Sequence, residues 1–134
     1  MMILGNENRT KSVKKIDWTS AIKINQRSLF ELNRKLISFR KSSEAIKSNN
    51  IKFFHCDSKT HILGYSRWSN ESDESIVVLL NFSMKDQQNY SFLNWPKVGL
   101  WKELFSQTTI EIDQSNELMI DLKSYEYRIF LFEK

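Results

Sequence analysis

Four residues of the types that bind metals or act as nucleophiles lie close together: His55, Cys56, Asp57 and His61. A cysteine with two histidines could ligate zinc, and a cysteine beside a histidine could form a nucleophilic pair. Zinc sites usually need four protein or water ligands, and neighbouring residues of a strand point to opposite faces, so His55 and Cys56 cannot face one ion together. The segment therefore predicts a core cysteine beside surface histidines, with no metal and no cofactor.

A second cluster, Glu71, Asp73 and Glu74, is acidic. It lacks the spaced pattern with an internal glycine that is typical of calcium loops, so it predicts a solvated turn. Glycoside hydrolysis needs two carboxyl groups that flank the bond in a cleft, and no pair of acids in the sequence is marked for that role. With three glycines, the chain also has no phosphate-binding loop, dinucleotide fingerprint or Gly-x-Ser-x-Gly elbow. We predict no catalytic residue in this chain.

Three tryptophans could bind ligands instead, because an exposed indole can stack on a sugar ring. Trp68 ends a predicted strand and Trp95 lies in a turn before Pro96, so both are expected to be exposed. Trp101 begins an apolar strand and is expected in the core. One hypothesis is therefore an independent carbohydrate-binding module that contacts sugar through Trp68 and Trp95.

The element that must position these residues is the apolar run at residues 75–83, which is uncharged and rich in β-branched side chains. Its length and composition predict a central strand with both faces covered. Alternation with a period of two residues continues from position 51 to the end of the chain. The predicted strands span residues 51–56, 61–68, 75–83, 88–93, 100–105, 109–112, 118–122 and 125–132. These features predict a mainly β fold, an eight-stranded antiparallel Greek-key β-sandwich over residues 51–134.

The preceding region, residues 1–50, has a different pattern and is predicted as a loop and a helix over residues 25–41. Apolar residues recur in this helix at spacings of three and four, with a second row beside them, and form an apolar surface too wide for a single neighbour. We expect this surface to be a domain or subunit interface. Its residues are Leu29, Phe30, Leu32, Leu36, Ile37 and Phe39.

The chain has 134 residues and a net charge of +4, and its basic excess is concentrated in the first 50 residues. These hold eleven of the 20 Lys and Arg but only four of the 16 Asp and Glu, which favours a solvated helix face. A nucleic-acid binder using this helix ranks last, because no aromatic platform accompanies the lysines. A single cysteine excludes an intrachain disulfide, and neither a signal peptide nor a membrane-spanning run is visible. A cytoplasmic and a periplasmic location are equally compatible with the sequence.

Three short motifs in the first 41 residues resemble the end of the catalytic barrel of the α-amylase family, glycoside hydrolase family 13. Residues 2–7, Met-Ile-Leu-Gly-Asn-Glu, resemble the last barrel strand and the turn that follows it. Residues 16–18, Ile-Asp-Trp, are similar to the start of the last barrel helix. Residues 36–41, Leu-Ile-Ser-Phe-Arg-Lys, resemble its end.

Three further motifs resemble the C-terminal β-domain of the same family, in the same order along the chain. Residues 77–83, Val-Val-Leu-Leu-Asn-Phe-Ser, are similar to a strand of that domain. Residues 101–106 and 122–130 resemble its closing strands. The resemblance thus covers nearly the whole chain.

The resemblance implies a non-catalytic accessory domain of an α-amylase-like glycosidase that acts on α-glucans. The family's catalytic Asp, acid Glu and second Asp would lie upstream, on barrel strands that these residues do not include, so the chain alone would be inactive. Its expected partner is that (β/α) barrel. Without the barrel, the apolar helix surface is expected to drive homodimer formation or to fold back onto the sandwich.

Overall fold

The computed structural model describes residues 24–133, with side chains from residue 28 onward. These residues belong to two compact units, with the boundary between Lys41 and Ser42. The sequence predicts a boundary after residue 50, whereas the unit that contains the strands begins at Ser42. The barrel-like motifs at residues 2–7 and 16–18 lie outside the described residues.

The first unit contains a single described helix, α1 (Ile24–Ser42), which confirms the helix predicted over residues 25–41. Arg40 and Lys41 occupy its last turn, where positive charge interacts favourably with the helix dipole. Two of its apolar residues are largely exposed, Leu29 at 59% and Ile37 at 56%.

The second unit begins with a one-turn helix, α2 (Glu44–Lys47), whose N-cap is Ser43 and whose first two N–H groups are bound from a distant loop. The Glu74 carboxylate accepts hydrogen bonds from the backbone N–H of Glu44 at 2.8 Å and of Ala45 at 3.2 Å. The Ser43 hydroxyl donates to the same carboxylate at 2.9 Å. Four residues rarely form a stable helix alone, so this carboxylate holds the turn in place. The solvated turn predicted for the acidic cluster is therefore wrong at Glu74.

Eight antiparallel strands follow, as the period-two pattern predicts. Six form a large sheet in the order β1-β2-β3-β8-β5-β6, and two form a small sheet, β4-β7. The Greek-key connection remains a prediction. The strands are β1 (Asn50–Asp57), β2 (Ile62–Trp68), β3 (Ser75–Asn81), β4 (Gln87–Phe92), β5 (Gly99–Glu103), β6 (Thr109–Ile112), β7 (Leu118–Leu122) and β8 (Tyr127–Glu133).

The apolar strand β3 lies inside the large sheet between β2 and β8, which confirms its predicted central place. Four consecutive residues, from Ile76 to Leu79, are buried, so both faces of this strand are covered. Val77 and Leu79 point to the inner face, where the core between the sheets lies. Ile76 and Val78 belong to the outer face, since successive residues of a strand alternate.

The core on the inner face is built around aromatic rings. Trp101 is fully buried, as predicted, and Phe130 lies beside it on the neighbouring strand. Phe92 and Leu122 contribute from the small sheet. Apolar residues from both sheets thus form one continuous cluster, which needs no disulfide or metal to stabilise it.

The two edge strands of the large sheet are irregular or short. In β1 the pairing register shifts between Phe53 and His55, which marks a β-bulge. At the other edge β6 has four residues, and two of them, Thr109 and Glu111, are exposed.

Candidate functional site

A cleft of about 370 Å³ opens at one end of the large sheet. Its floor is formed by the inner face of β1 and β2, the face that carries the core. The strand pairing places Lys52, Ser66 and Trp68 on this face. Phe54 adds a second aromatic ring to the lining. Both the volume and the mixture of aromatic and polar side chains are typical of small-molecule sites, which span roughly 300–1,000 Å³.

Two loops form the rim of this cleft, the β2–β3 loop through Asn70 and Asp73 and the β4–β5 loop through Asn94 and Lys97. An ion pair of 3.6 Å between Lys97 Nζ and Asp73 Oδ1 joins the two loops. The same ammonium group lies 4.4 Å from the centroid of the Phe132 ring, a cation–π distance. The loops are therefore linked to each other and to the large sheet.

Trp68 is anchored through its backbone and is partly exposed. Its carbonyl oxygen accepts hydrogen bonds from Ser48 Oγ at 2.6 Å and from Asn50 Nδ2 at 3.1 Å. The guanidinium of its neighbour Arg67 donates to the Ser48 carbonyl oxygen at 2.6 Å. The chain around α2 therefore fixes the end of β2, and Trp68 is partly exposed where the sequence predicts exposure.

The exposure predicted for Trp95 is not found, because this side chain is only 2% exposed. Its ring makes edge contacts with Phe54, Trp101 and Phe130 at centroid distances of 5.7 to 5.8 Å. The loop turns inward after the left-handed residue Asn94 and places the indole between the two sheets. The core residue Trp95 therefore has no free ring face to offer a sugar.

The predicted roles of Cys56 and His55 are also reversed: Cys56 is exposed and His55 is half-buried. The Tyr90 hydroxyl donates to Asp57 Oδ2 at 3.0 Å and lies 2.6 Å from His55 Nε2. Because tyrosine has one proton, His55 is the donor to the phenol oxygen. This relay links β1 of the large sheet to β4 of the small sheet, while His61 is exposed and apart from it.

The surroundings of the relay lower the pKa values of Asp57 and His55 and raise that of Tyr90. Hydrogen bonding by the Thr60 side chain and by the Lys59 backbone lowers the pKa of Asp57 to about 2. Burial lowers the pKa of His55, although the Asp57 charge partly opposes this effect. Burial raises the pKa of the Tyr90 phenol. The lowered pKa of Asp57 keeps its carboxylate ionised at neutral pH, so that it can accept from the Tyr90 hydroxyl, and the lowered pKa of His55 favours the neutral imidazole, whose Nε2–H tautomer donates to the phenol oxygen.

We expect the Tyr90→Phe variant to lower the free energy of unfolding by about 1 kcal/mol, the contribution of an ordinary hydrogen bond. In the parent chain, the folded pKa of both Asp57 and His55 lies below the unfolded value. Stability from the two groups is therefore present above the unfolded pKa values and is lost as the pH falls, first below about 6.5 and then below about 4. Urea denaturation from pH 7 to pH 3 measures both effects.

In the Tyr90→Phe variant the loss below pH 4 should be smaller, because Asp57 has lost one donor. Thr108→Ala is the control, since this exposed hydroxyl lies outside the relay. Identical pH profiles for Tyr90→Phe and the parent chain would contradict the relay.

Residues 24–133 offer neither a metal site nor a membrane-spanning helix. No group of three or more His, Cys, Asp and Glu side chains is arranged to hold a metal ion there. Within the same range, neither helix has the length and apolar character needed to cross a bilayer.

Of the predicted site residues, the structure thus places Trp68 at the cleft and Trp95 in the core. The predicted interface residues Leu29, Phe30, Leu32, Leu36, Ile37 and Phe39 all lie on α1, in the other compact unit. The polar rim of the cleft was not predicted. The sequence contains one signal for this rim: an asparagine lies close to each of the two tryptophans that were expected to be exposed. Asn70 comes two residues after Trp68, and Asn94 comes directly before Trp95.

The chain is similar to parts of two solved crystal structures. An AmyP variant in complex with maltotriose aligns with 81% of this chain, with a TM-score of 0.69 and 14% sequence identity. A MutB mutant in complex with glucose aligns with 78% of this chain, with a TM-score of 0.55 and 19% identity. The alignments cover 21% and 18% of those proteins, so this chain spans about a fifth of their length.

At these identities the likeness shows a shared fold. No family profile matches the sequence, and no curated protein matches it.

Proposed function

We propose that this chain is the C-terminal accessory part of an α-amylase-like glycoside hydrolase of family 13 that acts on α-glucans. In this proposal α1 is the last helix of the catalytic barrel, and the second unit is the β-domain that follows it. The observation that carries the proposal is the fold, which the chain shares with about a fifth of two proteins crystallised with glucose or a glucose trimer. The order of the sequence motifs agrees with it.

The proposed role is structural rather than catalytic, and the carboxylates of Glu103 and Glu74 support it because both accept hydrogen bonds from the backbone. Glu103 is 3% exposed and accepts hydrogen bonds from the backbone N–H of Phe105 at 3.1 Å and of Ser106 at 2.6 Å. Glu74 binds the first two N–H groups of α2. The general acid of a glycosidase has a raised pKa, whereas hydrogen bonds lower the pKa values of Asp57 and Asp113.

The partner in this proposal is the (β/α) barrel. The outer face of the large sheet supports it, because Ile51, Phe53 and Leu100 are 45–57% exposed there. The strand register places Ile51 and Phe53 of β1 in line, across β2, with Ile76 and Val78 of β3. These apolar residues therefore lie on the same face of the sheet. Exposed apolar residues that form one surface are typical of protein interfaces.

The apolar residues of α1 complete the proposed contact with the barrel. Without the barrel they would favour association with a second copy of the chain. Each large apolar side chain that becomes buried contributes about 1.5–3 kcal/mol, so burial of Leu29 and Ile37 together is enough to affect the oligomeric state.

The test compares the purified chain with the same chain joined to the barrel encoded upstream of it. We expect the chain alone to leave maltotriose and longer α-glucans intact and to sediment as a dimer or larger species. Replacement of Leu29 and Ile37 by glutamate should shift the chain toward monomer, whereas Ser38→Glu, at an exposed polar position half a turn away from Leu29 on the same helix, should not. The joined protein should hydrolyse α-glucans and sediment as a monomer.

Each part of the proposal can fail separately. Hydrolysis of α-glucans by the chain alone would contradict the non-catalytic role. Absence of an in-frame barrel upstream would contradict the accessory role. A strict monomer with α1 unfolded would contradict the role of the helix as an interface.

A further inference from the structure

We propose that the cleft beside Trp68 is a binding site for a neutral sugar, in which one pyranose ring of an α-glucan stacks on the indole. This site goes beyond the accessory role, which requires no ligand. The residues of the cleft support a pyranose ring as the ligand. The choice of an α-glucan as the source of that ring rests on the proposed function.

The floor of the cleft matches the apolar side of a sugar ring. The partly exposed Trp68 lines the cleft together with Phe54, and Phe54 is held in place by its edge contact with Trp95 at 5.7 Å. A pyranose has axial C–H groups on its faces and hydroxyl groups around its edge. An aromatic floor with polar walls accommodates both, because the indole is apolar on its face.

The walls of the cleft carry groups that can both donate and accept hydrogen bonds. The exposed residues Asn70 and Asn94 line the cleft from the two rim loops, and the buried residues Ser66 and Ser69 line it at and just after the end of β2. An amide pairs with a sugar hydroxyl in either direction, and so does a serine. This composition suits a ligand with many hydroxyl groups better than a purely apolar one.

The charges of the cleft favour a neutral ligand over a phosphate or a carboxylate. The Lys97 ammonium is paired with Asp73 at 3.6 Å and lies over the Phe132 ring. The Arg67 guanidinium donates through Nη2 to the Ser48 carbonyl oxygen, while its Nε is buried and has no hydrogen-bond partner among the described residues. Lys52 is the remaining cation of the lining, and an anion usually requires a bidentate guanidinium or several free N–H donors.

The cleft is also largely preformed. The backbone of Trp68 is fixed by Ser48 and Asn50, and the Lys97–Asp73 ion pair links the loops on the two sides. A preformed site loses less conformational entropy when its ligand binds, so even a small contact area can give measurable affinity.

The experiment is a titration of the ¹⁵N-labelled full chain with maltotriose at millimolar concentrations, followed by the indole N–H resonances of the four tryptophans. We expect saturable shifts for Trp68 and for the Asn70 side-chain amide. Trp68→Ala should weaken binding about tenfold, which is about 1.4 kcal/mol. Asn70→Ala should weaken it about fivefold and keeps the proposal testable if the tryptophan variant does not fold.

Phe82→Ala is the matched control, because this aromatic side chain is 60% exposed and does not line the cleft. Its affinity for maltotriose should equal that of the parent chain. Cellotriose, a β-linked trimer, tests the source of the sugar, and equal affinity for both trimers would overturn the assignment to α-glucans. Absence of shifts at Trp68 with either trimer would overturn the site. Both outcomes are independent of the accessory role, which is tested by the oligomeric state and by hydrolysis.

Discussion

Replacement of Trp95 by alanine is expected to lower the free energy of unfolding by about 3–5 kcal/mol, the usual loss for a large aromatic side chain in a core. The indole is 2% exposed and contacts three aromatic rings of the large sheet, so its removal leaves a void that neighbouring side chains cannot fill. Typical domains are stable by about 5–15 kcal/mol, so this loss removes a large fraction of the total stability. Urea denaturation followed by far-UV circular dichroism measures the change.

Phe82→Ala is again the control, since exposed substitutions usually change stability by less than about 0.5 kcal/mol. Trp95→Phe should have an intermediate effect, because phenylalanine retains most of the ring contacts. A loss below about 1 kcal/mol for Trp95→Ala would mean that the indole is not part of the core.

Replacement of Asn81 by leucine is expected to destabilise the chain by about 3 kcal/mol, although leucine has a similar size. Asn81 is 2% exposed, and its Nδ2 donates to the carbonyl oxygens of Lys85 and Lys123, both at 3.0 Å. Its Oδ1 accepts from the backbone N–H and the hydroxyl of Ser83, both at 2.9 Å. Each buried polar group that loses its partner costs about 1–3 kcal/mol.

Because the two carbonyl oxygens belong to different segments, Asn81 holds the end of β3 to the chain after β7. Ser83→Ala tests this interpretation, since it removes only local hydrogen bonds and should cost about 1 kcal/mol. Equal losses for the two variants in thermal or urea denaturation would contradict the role of Asn81 as a cross-link.

The sequence was sufficient to predict the elements of the fold. The predicted helix ends within one residue of the observed ends, and all eight strands were found with boundaries within two residues. The reason is that each element is defined by a local period of apolar residues, 3.6 in α1 and two in the strands. Burial of β3 on both faces followed in the same way from its uninterrupted apolar run.

The surroundings of individual side chains could not be predicted in this way, because they depend on contacts between distant segments. Trp95 precedes a proline in a turn, which indicates exposure, yet the loop turns back between the sheets. In the sequence Glu74 is one of three acids in a loop, yet its hydrogen-bond partners, Ser43 and Glu44, lie about 30 residues earlier in the chain. The cleft likewise combines residues from positions 52 to 97.

The bulge in β1 and the short length of β6 have a consequence for assembly. A new strand can extend a sheet only where a long, regular row of unpaired N–H and C=O groups is available. The shifted register of β1 interrupts that row, and β6 has only four residues to offer. The large sheet is therefore poorly suited to extension by a strand from a second copy of the domain.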